Sequence, residues 1–160
     1  MKKALWAIVC LALVGCTKGT LIHRYETVGQ QGWERTDTLV FALPEVATQG
    51  QHRLTVSLRY DNTFPYEGIW LVVEGHLKEP SQQWRDTVYF ATTDEEGTPL
   101  GHGVSLMQND VVVRDFQLSE GQSGSLRLWH IMHREVMPEI RDVGIKIEQT
   151  DCDRHPYAGK

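Results

Sequence analysis

Hydrophobic and polar residues alternate with a period of two along several short stretches of the chain. In residues 53–60 (RLTVSLRY), every second position is leucine, valine or tyrosine, and the positions between them are polar. Successive side chains of a β-strand point to opposite faces, so this pattern predicts a strand with one face in the core. Residues 69–74 (IWLVVE) are apolar on both faces, which suits a central strand of a sheet.

The same pattern predicts about eight strands along the chain. They lie at residues 38–43, 53–60, 69–74, 85–91, 100–106, 111–118, 125–132 and 143–148. Turn-forming residues separate them, such as the run DEEGTP at 94–99 and the polar residues at 108–110. No window keeps the 3.6-residue apolar period of a helix. We therefore expect an all-β fold, a single antiparallel β-sandwich of about eight strands, of which the jelly roll is one form.

The first residues follow a different pattern. Lys2 and Lys3 precede an apolar run at residues 4–14, which is too short to span a bilayer and is typical of a signal peptide. The run ends in LVGC at 13–16, which resembles a bacterial lipobox. That resemblance implies that the chain is cut before Cys16 and that Cys16 carries lipid. A short core helix and an ordinary secretory signal are the alternatives.

These features predict the organisation of the whole chain. Residues 1–15 are a signal peptide that is removed, 16–20 a lipid tether, 21–149 the sandwich domain and 150–160 a flexible tail. The tether lacks the acidic residues that mark some surface-exported lipoproteins, so we expect a domain that faces the periplasm. After processing, Cys152 is the only cysteine that is not lipidated, and the mature chain can form no internal disulfide.

Charge changes the picture once the signal peptide is set aside. The 160 residues have a net charge of −5, and loss of Lys2 and Lys3 lowers it to −7. An acidic protein is a poor candidate for nucleic-acid binding, which requires a basic face. It is also repelled by anionic lipid, so the lipid on Cys16 is the expected contact with the membrane.

Patterns that would indicate catalysis or metal binding are missing from the sequence. His130 and His133 are three residues apart, and on a strand they would point to opposite faces and could not share an ion. We expect His130 to be buried and hydrogen-bonded instead. The nucleophile motif Gly-x-Ser-x-Gly and a glycine-rich phosphate loop do not occur. The sequence thus predicts no enzyme, no metal and no cofactor; a hydrolase would need two carboxylates, or a serine and a histidine, in one pocket.

Aromatic residues supply the candidate binding surface. Trp33, Tyr66 and Trp129 are predicted to form an interaction surface, because tryptophan and tyrosine often anchor protein interfaces. Trp129 alternates with Leu128 and therefore faces away from that leucine. Tryptophans on a sandwich can equally lie in the core or form a stacking platform for sugars. A carbohydrate-binding lipoprotein is therefore the alternative hypothesis.

An ordered set of short motifs, within residues 21–148, resembles the GldH family of gliding-motility lipoproteins from the Bacteroidetes. The resemblance implies an accessory lipoprotein of the gliding apparatus, which is linked to type IX secretion, in the bacterial cell envelope. It also implies envelope protein partners and no enzymatic activity. His133 departs from the family pattern, which has arginine directly after Met132. The motifs are Gln31-Gly32-Trp33, Asp37-Thr38-Leu39 with Phe41, Arg59 with Asn62, Pro65 and Tyr66, Ile69-Trp70-Leu71, Asp86-Thr87-Val88-Tyr89, Gly97 with Leu100, Gly101 and Gly103, His130 with Met132, and Ile140 with Asp142-Val143-Gly144-Ile145, Ile147 and Glu148.

Overall fold

The computed structural model describes residues 19–150. The predictions for the signal peptide, for Cys16 and for the tail beyond residue 150 lie outside them. No helix within the described residues has the length and apolarity needed to cross a bilayer. The strands are β1 (Thr20–Thr27), β2 (Trp33–Glu34), β3 (Leu39–Leu43), β4 (Gly50–Asp61), β5 (Gly68–Lys78), β6 (Gln82–Ala91), β7 (His102–Gly103), β8 (Leu106–Leu118), β9 (Ser123–His130), β10 (Val136–Met137) and β11 (Ile140–Gln149).

The strands form two antiparallel sheets that face each other and a two-stranded ribbon. Sheet I has the order β1-β11-β4-β8-β7, sheet II has the order β3-β9-β5-β6, and β10 pairs with β2 in the ribbon. Eight strands have five or more residues. When these eight strands are numbered along the chain, their spatial order is 1-8-3-6 across sheet I and 2-7-4-5 across sheet II. This is the strand order of a jelly roll, and the predicted all-β sandwich is confirmed.

The core lies between the two sheets. The alternation at 53–60 places one set of side chains of β4 inside, and β11 presents its own alternate residues beside them through antiparallel pairing. Sheet II contributes the alternate residues of β5 and β9 from the other side. Burial of these side chains is the main favourable contribution to folding. Those exposed by 1% or less include Leu54, Val56, Leu58, Ile69, Leu71, Val73, Leu126, Leu128, Val143, Ile145 and Ile147.

The predicted break at residues 108–110 is wrong. Strand β8 continues through it, with Asn109 opposite Leu58 and Asp110 opposite Ser57 of β4. The strand tolerates these polar residues because the Asn109 amide donates to the carbonyl oxygen of Ala91 at 2.9 Å and Asp110 is exposed. The two strands predicted at 100–106 and 111–118 are therefore replaced by β8 and the short β7.

Strand β1 is absent from the sequence prediction. It is an edge strand of sheet I, paired on one side with β11, and half-buried and exposed residues do not alternate regularly along it. It begins at Thr20, which the sequence assigns to the tether. Thr150, the last described residue, also belongs to the folded domain. Its backbone N–H donates to the Gln51 carbonyl oxygen at 2.9 Å, although the sequence assigns this residue to the tail.

Gly144 of β11 makes room for an aromatic ring on the outer face of sheet I. A Cβ atom at this position would lie 2.5 Å from a ring carbon of Tyr25, the cross-strand neighbour on β1. The Arg59 guanidinium carbon lies 3.8 Å from the centre of the same ring. The absence of a side chain at Gly144 thus allows the close approach of the Tyr25 ring.

The two ends of the sandwich differ in what they carry. Gly19 and Gln149 pair at one end, where the backbone N–H of Gln149 donates to the Gly19 carbonyl oxygen, and we call this the proximal end. The loops at 44–49, 79–81 and 119–122 lie there as well. The opposite, distal end carries the loops at 28–32, 62–67, 92–101 and 131–135, together with the ribbon of β2 and β10.

Candidate functional site

Trp33 lies in the core and does not belong to an exposed surface. Its side chain is fully buried (0% exposed), and its indole Nε1–H donates to the Asp37 carbonyl oxygen at 3.0 Å. Strand β10 pairs with β2 and places Met137 opposite Trp33. Gly32 is required beside it, because its φ is +115° and a Cβ atom would lie 2.1 Å from the Met137 carbonyl oxygen. The prediction that Trp33 is part of an interaction surface is therefore wrong, since the ribbon folds the indole inward.

His130 is buried and hydrogen-bonded, as the sequence predicts. Its Nε2–H donates to the Trp33 carbonyl oxygen at 3.0 Å, and its ring meets the indole edge-to-face with a centroid distance of 5.4 Å. Nδ1 finds no partner among residues 19–150. Burial lowers the pKa of His130 below 6.5, and the nearby positive charge of Arg35 lowers it further. The neutral ring therefore suits a packing role at the distal end.

The lowered pKa of His130 predicts that the domain loses stability in mild acid. The unfolded chain takes up a proton near pH 6.5 that the folded chain resists, so this contribution is complete above about pH 6.5 and is lost as the pH falls towards the folded pKa. Each unit of pKa difference corresponds to about 1.4 kcal/mol. Urea unfolding at about pH 7.5 and pH 5.5 should show a smaller difference for His130→Phe than for the wild type.

The exposed His102 supplies the control for this experiment. A His102→Gln variant should keep the wild-type pH dependence. An equal pH dependence in His130→Phe and the wild type would show that His130 does not contribute.

Tyr66 lies at the distal end, where it lines an open groove. Phe64 meets its ring edge-to-face with a centroid distance of 5.5 Å, and Arg134 Nη1 donates to its hydroxyl oxygen at 2.9 Å. The groove has a volume of about 620 Å³. We call it the distal groove and define it by Tyr66, Trp70, Ile131, Met132, His133 and Arg134.

The distal groove opens where strand β9 ends. The last pair of β9 with β5 is His130 opposite Leu71. Beyond it, Ile131 still donates its backbone N–H to the Trp70 carbonyl oxygen at 3.0 Å, but the N–H of Trp70 reaches only the Met132 sulfur at 3.4 Å. A thioether is a weak acceptor. Trp70 and Ile131 are 46% and 47% exposed, which leaves large apolar side chains facing solvent at the mouth of the groove.

Trp129 lies on the outer face of sheet II, where the sequence places it, and is partly exposed. The Arg85 guanidinium carbon is 5.5 Å from the centre of its ring. Trp70 and Tyr89 are neighbours on the same face, with ring centroids 5.0 Å apart and an angle of 50° between the rings. These two exposed rings are therefore tilted, which does not match the coplanar platform that sugar stacking would use.

A cluster of charges accompanies the aromatic rings on this face. Glu74 lies 2.6 Å from Arg85 Nη2, 3.5 Å from Arg127 Nη1 and 3.0 Å from His76 Nε2. Contacts with His76 and then Arg85 lower the pKa of the Glu74 carboxyl. A carboxyl whose pKa is lowered in this way is a poor general acid. Arg85 and Arg127 thus lie, with Glu74 between them, on the same outer face of sheet II as the aromatic rings.

The structure places only two of the three residues of the predicted interaction surface where a partner could reach them. Tyr66 and Trp129 are accessible but Trp33 is not, and the distal groove includes Trp70, Ile131 and Arg134, which the sequence did not indicate. A signal for Trp70 was present, because it alternates with the core residues Ile69 and Leu71. Residues 19–150 hold no group of three or more histidine, cysteine, aspartate or glutamate side chains that could bind a metal ion.

Comparisons with known proteins give one family and several distant folds. The family model described as GldH lipoprotein matches residues 20–147. A gliding motility lipoprotein, GldH of Flavobacterium johnsoniae, is 25% identical over 152 residues, covering 90% of this chain and 94% of the relative. A family 35 carbohydrate-binding module from Clostridium thermocellum is similar in structure with a TM-score of 0.42 and 17% identity, over 80% of this chain and 88% of the module.

A second module of that type, from Cellvibrio japonicus Abf62, has a TM-score of 0.37 and 15% identity, over 86% of this chain and 94% of the module. Likenesses this distant carry no argument about a ligand.

Proposed function

The chain belongs to the GldH lipoprotein family, and from this premise we propose that it is an accessory component of the gliding apparatus and the linked type IX secretion system. It acts by binding other proteins of the cell envelope and has no enzymatic activity. The lipid on Cys16 attaches it to the membrane, with the folded domain facing the periplasm.

The observation that supports this proposal is the exposed aromatic and basic surface formed by the distal groove and the adjoining outer face of sheet II. Trp70 and Tyr89 are 46% and 43% exposed there, and Arg85 and Arg127 accompany them. Tryptophan, tyrosine, methionine and arginine are enriched in protein interfaces. The few residues that supply most of the binding energy are often tryptophan, tyrosine or arginine. Such side chains, exposed together, favour a protein partner.

The position of this surface fits an anchored protein. Gly19 at the proximal end is three residues beyond Cys16, so a lipid on Cys16 holds that end close to the bilayer. Trp70 is eight residues along β5 from Lys78 at the proximal end, a distance of about 26 Å at ~3.3 Å per residue. The distal groove is therefore presented to partners away from the anchoring membrane.

Deletion of the gene in its own host should impair gliding or type IX secretion, and a copy of the full chain should restore it. Mild crosslinking followed by purification from membranes should recover gliding or secretion components with the protein. If the deletion strain glides and secretes normally and no such component is recovered, the proposed function is incorrect.

A further inference from the structure

Arg134 is one of two arginines, with Arg35, that form no ion pair within residues 19–150. Residues 19–150 contain nine arginines, and seven of them form ion pairs with aspartate or glutamate. Arg134 is exposed and contacts the hydroxyl of Tyr66 in place of a carboxylate. A guanidinium held in position by a neutral hydroxyl, beside apolar side chains, is suited to bind a carboxylate from another molecule.

The rest of the distal groove suits a short peptide segment that carries a large apolar side chain. Its volume of about 620 Å³ lies in the range typical of binding pockets. Trp70 and Ile131 supply an exposed apolar wall, and Met132 has a flexible side chain that adapts to different shapes. No carboxylate lines the groove among the described residues, so its charge comes from Arg134, with His133 beside it.

We propose that the distal groove binds an extended segment of a partner protein that carries an aromatic or large aliphatic residue next to aspartate or glutamate. The apolar side chain packs against Trp70 and Ile131, and the carboxylate binds Arg134. A backbone carbonyl of the segment takes the place of the Met132 sulfur as acceptor for the Trp70 N–H. This inference rests on the proposed function and names the partner's chemistry.

Charge complementarity favours an acidic segment. Residues 19–150 contain 11 lysines and arginines and 19 aspartates and glutamates, so most of the domain repels an acidic ligand. The distal groove is a basic position on this acidic surface, and such contrasts determine where and in which register a charged partner binds. A lipid surface is disfavoured because the groove lies at the distal end, and a sugar is disfavoured by the tilt between Trp70 and Tyr89.

The test uses the soluble domain secreted without its lipid and three short peptides with blocked termini. Each peptide has one central phenylalanine in a glycine and serine background, flanked by aspartate, asparagine or lysine. Binding is followed by NMR through the indole N–H signal of Trp70, assigned with Trp70→Phe. The aspartate peptide should bind at least about tenfold more tightly than the lysine peptide, and Arg134→Glu should remove this preference.

Arg35 gives a matched control, because it is the other exposed arginine without an ion pair in the described domain and lies in a separate recess with Glu34 and Glu135. Arg35→Glu should leave binding unchanged, and Arg134→Gln should weaken it without altering the unfolding midpoint. Equal binding of the three peptides, no binding, or an equal loss in Arg35→Glu would overturn the inference. So would Arg134-dependent binding to phosphatidylglycerol vesicles without peptide binding.

The outcome is separable from that of the proposed function. Normal gliding and secretion in the deletion strain, together with no gliding or secretion component recovered by crosslinking, refute the proposed function whatever the peptides do. Impaired gliding that an Arg134→Glu copy fully restores refutes the role of the groove and leaves the proposed function in place.

Discussion

Replacing Trp33 with alanine is expected to destabilise the folded domain by about 3–5 kcal/mol. The indole is fully buried, and its removal leaves a large cavity beneath the ribbon of β2 and β10. The change also removes the hydrogen bond from Nε1 to the Asp37 carbonyl oxygen and the edge-to-face contact with His130. Since domains of this kind are stable by only about 5–15 kcal/mol, urea unfolding should show a large fall in the midpoint.

Trp129→Ala is the matched control for Trp33→Ala. It deletes the same side chain from a partly exposed position on the outer face of sheet II, so its effect on the free energy of unfolding should be clearly smaller. Equal losses in the two variants would mean that Trp33 is not a core residue. His130 should also become easier to protonate in Trp33→Ala, because the cavity admits water around the ring.

Replacing Cys16 with alanine is expected to abolish lipid attachment and with it stable membrane association. Each buried methylene contributes about 0.8 kcal/mol, so several acyl chains hold a protein almost permanently. The acidic domain itself is repelled by anionic lipid. The measurement is incorporation of labelled palmitate, which should occur in the wild type and not in Cys16→Ala.

A second variant distinguishes loss of the lipid from failure to cleave the signal peptide, because an uncleaved signal peptide can itself remain in the membrane. Residues 1–16 are replaced by an ordinary cleavable secretory signal, and the product should appear in the soluble periplasmic fraction. Cys152→Ala should keep both the label and the membrane location. Label in Cys16→Ala, or a membrane-bound product after cleavage of the substituted signal, would contradict lipidation at Cys16.

The strands that the sequence predicted best are those with strict alternation or a clear stop. Strand β3 begins within one residue of its predicted start and ends at Leu43, immediately before Pro44. Strand β4 contains the whole predicted segment 53–60, because sandwich burial requires one apolar face. These outcomes follow from local periodicity and from the missing N–H of proline, and neither depends on distant contacts.

The errors have a common physical origin in pairing between distant segments. Strand β8 passes through polar residues at 108–110 because β4 pairs with it along its whole length. Strand β1 forms without clean alternation because β11, more than 100 residues away in the chain, provides its partner. Backbone hydrogen bonds to a neighbouring strand stabilise both segments regardless of their side-chain pattern.

For the candidate site, sequence patterns identified aromatic residues but not which of them are accessible. The same residue type is fully buried at Trp33 and nearly half exposed at Trp70. The difference arises because pairing of β2 with β10 turns the Trp33 indole inward against His130, whereas β9 ends at His130 and leaves Trp70 uncovered.

The sequence by itself determined the all-β class, the buried His130 and the family, because alternation and short ordered motifs are local properties of the chain. Only the tertiary structure decided the jelly-roll order, the inward position of Trp33 and the distal groove in which Arg134 bonds to Tyr66. Each of these depends on segments far apart in the chain, such as β2 with β10 and Tyr66 with Arg134. Such contacts form only when the sheets pack, and no local pattern encodes them.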